Sequence, residues 1–119
     1  MTRGNVNFIW WDRRGNVHTL FLDRHKGDQY PRGLRDFYNV LDFVRGEWTP
    51  KNFRKWIREN YEPAEAVDGE GRCLDGFDTD YTYTFEAMRK EKKAIVWNWA
   101  DKVFEGNDKE FIEWIEKQK

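Results

Sequence analysis

Serine is missing altogether from the 119 residues, and cysteine occurs once, as Cys73. The first absence removes every serine nucleophile. The second removes an intramolecular disulfide and any cysteine-rich zinc site, and it fits a reducing compartment. Histidine is scarce as well: His18 and His25 are the two present, without the paired spacing of a metal-ligand set. No apolar run approaches the length of a membrane span. The opening stretch MTRGNVNFIWWDRRG lacks the apolar segment of a secretory leader. An excess of charge is absent too, since 21 Lys and Arg stand against 22 Asp and Glu, for a net charge of -1. That balance argues against a general nucleic-acid binder, which carries a clear basic excess. These absences together predict a soluble protein of the cytoplasm with no membrane partner.

What the chain has in abundance is rings. Aromatic residues make up 18% of it, with Trp 7, Tyr 5 and Phe 9. Rings bury much area per residue, so a short and highly charged chain can still build a core from them. The length suits one domain, taken as residues 1–119. NVNFIWW and VHTLFL flank the turn residues DRRGN and read as a β-hairpin. Alternation puts Val6, Phe8 and Trp10 on one face and Asn7, Ile9 and Trp11 on the other. Leu34, Phe37, Leu41 and Val44 recur at helical spacing between Pro31 and Gly46. Phe53, Trp56, Ile57 and Tyr61 form the stripe of a second helix, with Thr49 as its N-cap and Pro50 in its first turn. Residues 62–80, rich in acids, glycine and proline, read as a long loop. YTYTF and AIVWNWA form a second hairpin with a basic tip, EAMRKEKK. Here Tyr81, Tyr83 and Phe85 share a face, as do Ile95, Trp97 and Trp99. Asn107 and Glu110 have capping-box spacing ahead of the stripe Phe111, Trp114 and Ile115. The predicted class is α+β: an antiparallel sheet of about four strands, in two hairpins, with about three helices packed on it, in the order ββαα-loop-ββα.

DRHKGDQYPRGLRDF joins hairpin to helix. His25 beside Asp28 has the makings of an acid–base pair, because a carboxylate fixes the tautomer of a histidine and raises its basicity. The plainer reading makes Tyr30 an anchor, Pro31 the helix start and Asp28 its cap. Asp68, Glu70, Asp75, Asp78 and Asp80 lack the order of a calcium loop. Arg72 would lower the Cys73 thiol pKa, yet no local signature pairs that thiol with His18 or His25 as a base. The sequence therefore designates no catalytic residue, no metal site and no cofactor. Tyr81, Tyr83, Trp97 and Trp99 beside Arg89, Lys90, Lys92 and Lys93 have the composition of a base-stacking surface, although alternation already explains them as a core face and a solvated tip.

Several of these residues also carry a likeness. Thr2, Arg3 and Asn5 open the chain, Asp12 and Gly15 mark the first turn, and His25, Asp28, Tyr30, Pro31 and Gly33 follow in order. This pattern resembles a family of small, mostly uncharacterised proteins of phages and prophages. Its members open on Thr-Arg-x-Asn, carry a D-x-x-G turn between two strands, and reach a helix through an HWDGYPxGVG segment. DTDYTYTF is similar to a later strand of that family. The tryptophan of the segment is missing here, and Lys26 and Gly27 interrupt the run. The resemblance implies a phage or mobile-element origin, a place in the host cytoplasm, and action by binding a host or phage protein. Inhibition of host defence of the anti-CRISPR type is one concrete form. Exposed Trp and Tyr flanked by arginine is the composition of interface hot spots. The expected binding residues are therefore Trp10, Trp11, His25, Asp28, Tyr30 and Trp48. The alternatives are a small enzyme using the His25 loop, with Asp28 or Asp12 as partner, and a single-stranded nucleic-acid-binding module.

Overall fold

A computed structural model describes residues 4–24, 40–60, 67–68, 81–88 and 91–117. The elements are β1 (Gly4–Trp11), β2 (Val17–Arg24), α1 (Val40–Val44), α2 (Pro50–Asn60), β3 (Val67–Asp68), β4 (Tyr81–Ala87), β5 (Lys92–Asn98), β6 (Asp101–Gly106) and α3 (Asp108–Lys117). Both expected hairpins form, β1 with β2 and β4 with β5, each antiparallel. The chain is α+β, and the described helices number three.

The sheet departs from the expected four antiparallel strands. It has six strands in the order β3-β2-β1-β4-β5-β6, and the two hairpins join through a parallel β1–β4 pair. Short turns fix antiparallel partners locally, whereas a parallel pair is set by a long intervening crossover that local pattern does not reveal. β6 escaped notice because an edge strand faces water. It carries Asp101, Lys102 and Glu105, and Phe104 is its inward ring. β3 is two residues long, too short for any alternation to show.

Register aligns the apolar positions in rows. Val6 lies opposite Tyr83, Tyr83 opposite Val96, and Val96 opposite Phe104. The next row runs Leu20, Phe8, Phe85, Ala94. This face carries the core, completed by Phe43 and Val44 of α1, Phe53, Trp56 and Ile57 of α2, and Phe111 and Ile115 of α3. Phe43 is the hub, with ring centroids 5.4–6.2 Å from those of Phe8, Trp48, Phe53, Trp56 and Phe85. Edge-on and offset geometries of this kind add to the area the rings bury.

The helix ends follow the sequence signals. Thr49 Oγ1 accepts from Asn52 N at 3.1 Å at the start of α2. Asn107 Oδ1 accepts from Glu110 N at 2.9 Å while Glu110 Oε1 accepts from Asn107 N at 3.1 Å, a reciprocal capping box. Pro31, Leu34, Phe37, Tyr61 and the 69–80 part of the acidic loop, with Cys73, lie outside the described residues. Among the described residues no helix is long and apolar enough to cross a membrane.

Candidate interaction surface

The β1–β2 turn is built around one carboxylate. Asp12 N donates to Asn16 O at 2.9 Å, and Gly15 N donates to Asp12 O at 3.0 Å. Gly15 sits at φ 82°, a left-handed conformation that glycine adopts without steric cost. Asp12 Oδ1 accepts from Arg14 N at 2.8 Å and from Asn16 N at 2.9 Å. Its Oδ2 accepts from Asn16 Nδ2 at 3.2 Å and from His18 Nε2 at 2.9 Å. An ionised carboxylate only accepts, so the imidazole proton of this contact resides on Nε2. The His18 hydrogen bond, followed by the Asn16 N–H, lowers the Asp12 pKa from 3.8 to about 2.

A column of rings ties this turn to the core. His18 stacks on Trp10 at 5.2 Å, Trp10 on Phe8 at 5.4 Å, and Phe8 on Phe53 of α2 at 5.4 Å, with interplanar angles of 17–19°. The turn is therefore held from below by stacking and from within by Asp12.

Beside this column the other face of the hairpin is open at its end. Trp11 pairs with Val17 across the ladder. Trp10 pairs with Ala87 in the parallel β1–β4 ladder, so Met88 is the next position in register with Trp11. Alternation places all three on the face away from α1, α2 and α3. Trp11 is 37% exposed, Val17 57% and Met88 39%. Arg13 and Arg14, both exposed, flank the cluster. Among the described residues their side chains enter no hydrogen bond or ion pair.

The expected binding residues separate accordingly. Trp11 stands in this surface. Trp10 is half-buried between Phe8 and His18, where it holds the hairpin to the core. Trp48 is a correction. It is only 7% exposed, donates from Nε1 to Val44 O at 3.0 Å, and packs edge-on against Phe85, so it is a core ring and not a surface anchor. Its burial comes from strands distant in sequence: the ring lies against Phe85 of β4 and under Lys92 of β5, whose Nζ is 5.6 Å from the ring centroid. His25, Asp28 and Tyr30 lie outside the described residues. The carboxylate–histidine pair among the described residues is Asp12 with His18.

The rings of the second hairpin do not make one stacking platform. Tyr83 is fully buried in the core, and Trp97 pairs with Thr82, which puts it on the opposite side of the sheet. Trp99 lies beyond the end of β5, in the β5–β6 turn. Lys92 is engaged by Gly46 O at 3.2 Å and Asp108 at 3.6 Å, and Lys93 by Glu105 at 2.6 Å. Arg89 and Lys90 lie outside the described residues.

Sequence reasoning missed Val17 and Met88. Val17 was legible in principle, as the residue facing Trp11 across the DRRGN turn. Met88 was not, because its place beside Trp11 depends on the parallel pairing. Comparison with known proteins returns no match to any family model, curated protein or solved structure.

Proposed function

We propose that this chain works by binding another protein through the end of the β1–β2 hairpin. The observation that carries this reading is the exposed trio Trp11, Val17 and Met88 on a turn made rigid by Asp12 and the ring column. Large apolar side chains clustered in water, with arginine at the rim, are the usual makings of an interface centre. The turn's rigidity lowers the ordering cost of association. The likeness to phage and prophage proteins makes a host factor the expected partner, and inhibition of a defence complex of the anti-CRISPR type is the concrete version.

Val17→Glu tests this directly. The position is more than half exposed, so stability should change by no more than about 1 kcal/mol in a urea melt. Capture of the protein that the wild-type chain retains from host lysate should be lost. A folded variant that still captures it contradicts the proposal.

A further inference from the structure

We infer that the partner surface is acidic: an apolar socket for Trp11 bordered by carboxylates. This rests on the reading of the hairpin end as the interface. The argument is charge complementarity. The turn sequence Asp12-Arg13-Arg14 looks nearly balanced, yet its charges are not equally available. Asp12 is turned inward, with four hydrogen bonds on its two oxygens. Arg13 and Arg14 are exposed and carry no counter-ion among the described residues. Glu86 and Glu91 lie on the Met88 side of the cluster, in β4 and the β4–β5 turn, so the cations border Trp11 and Val17 while these acids border Met88. The tip therefore offers a partner two free guanidiniums beside an indole. Guanidiniums pair carboxylates in bidentate geometry, and unpaired cations at a rim repel basic partners and draw acidic ones.

A nucleic-acid strand would also meet arginine and a ring, but the rest of the surface disfavours it. Val17 and Met88 beside Trp11 offer no second ring on which a neighbouring base would stack. The chain also lacks the basic excess that tracks a phosphate backbone.

The test is selection of a displayed library of random linear peptides on the immobilised chain. Wild-type, Trp11→Ala and Arg13→Glu/Arg14→Glu chains are used in parallel, with far-ultraviolet circular dichroism to confirm that each is folded. The expected result is enrichment of peptides that carry Asp or Glu around one apolar residue. Their affinity should fall by about tenfold or more with Trp11→Ala or with the double arginine variant, and also as salt is raised. Trp11-dependent peptides that are neutral or basic would overturn the acidic partner and leave the interface standing. Peptides indifferent to Trp11 would overturn both. No enrichment, or salt-sensitive retention of single-stranded oligonucleotides on the same variants, would overturn the acidic protein partner in favour of a different class.

Discussion

Two hairpin ends of this molecule expose tryptophan and valine together, and they differ in how their cations are paired. At the β1–β2 end, Trp11 and Val17 flank a turn whose acid faces inward and whose arginines are unpaired among the described residues. At the β5–β6 end, Trp99 is 55% exposed and Val103 42%, yet the lysines nearby are paired. Glu105 takes Lys102 at 2.8 Å and Lys93 at 2.6 Å, and Lys102 also lies over Trp97 at 5.6 Å. The register slips between Val96 and Trp97, so Val103 has no counterpart on β5. A bulge and a charged residue on an edge strand are devices that blunt edge-to-edge pairing. Exposure of a ring alone does not define an interface. On the function proposed above, the balance of spent and unspent charge around the ring separates a docking surface from a protected edge.

The largest expected effect removes the ring that ties the first of these ends to the core. Phe8 is fully buried and stacks both on Trp10 of the first hairpin and on Phe53 of α2. Phe8→Ala should cost about 3–5 kcal/mol, read from denaturant unfolding, and a loss below about 1 kcal/mol would mean that the ring column does not anchor the hairpin.

Acid should act on both ends in one window. Hydrogen bonds, from His18 foremost for Asp12 and from Lys102 foremost for Glu105, lower each pKa to about 2. A carboxylate whose pKa is depressed on folding contributes stability that is present above its unfolded value and lost as pH falls through the folded one. The stability advantage of wild type over Asp12→Asn, and over Glu105→Gln, should therefore hold at neutral pH and shrink between about pH 4 and about pH 2. Thermal melts across that range measure it, and a pH-independent difference would contradict these pairings.

The smallest effect sharpens the contrast in backbone. Gly15 takes its left-handed conformation freely, whereas Trp99 holds φ 54° without being glycine. Such a conformation costs an L-residue roughly 1–2 kcal/mol. Trp99→Gly should raise stability by up to about 1 kcal/mol, and a clear loss in a thermal melt would show that the indole is held by packing.

Much of this frame was legible before the structure. Period-two alternation revealed both hairpins, and Thr49, Asn107 and Glu110 marked helix starts that the hydrogen bonds bear out. The abundance of rings indicated an aromatic core, and Phe43 is its hub. Three things were hidden for one physical reason, that they depend on contacts distant in sequence. The parallel β1–β4 pair, the burial of Trp48 under β5 and the neighbourhood of Met88 and Trp11 are all set by long-range packing. The proposed interface was half visible: Trp11 was named from its composition, but Trp10 and Trp48 have the same composition and pack with the core.

The most direct test sets the two ends against each other in one experiment. A photo-crosslinking side chain is placed at position 17 in one variant and at position 103 in another, and each is irradiated in host lysate. A crosslinked protein that forms from position 17, disappears when Arg13 and Arg14 are changed to glutamate, and is absent from position 103 is the result predicted here. Crosslinks of equal yield from both positions, or from 103 alone, would contradict the assignment of the β1–β2 end as the interface.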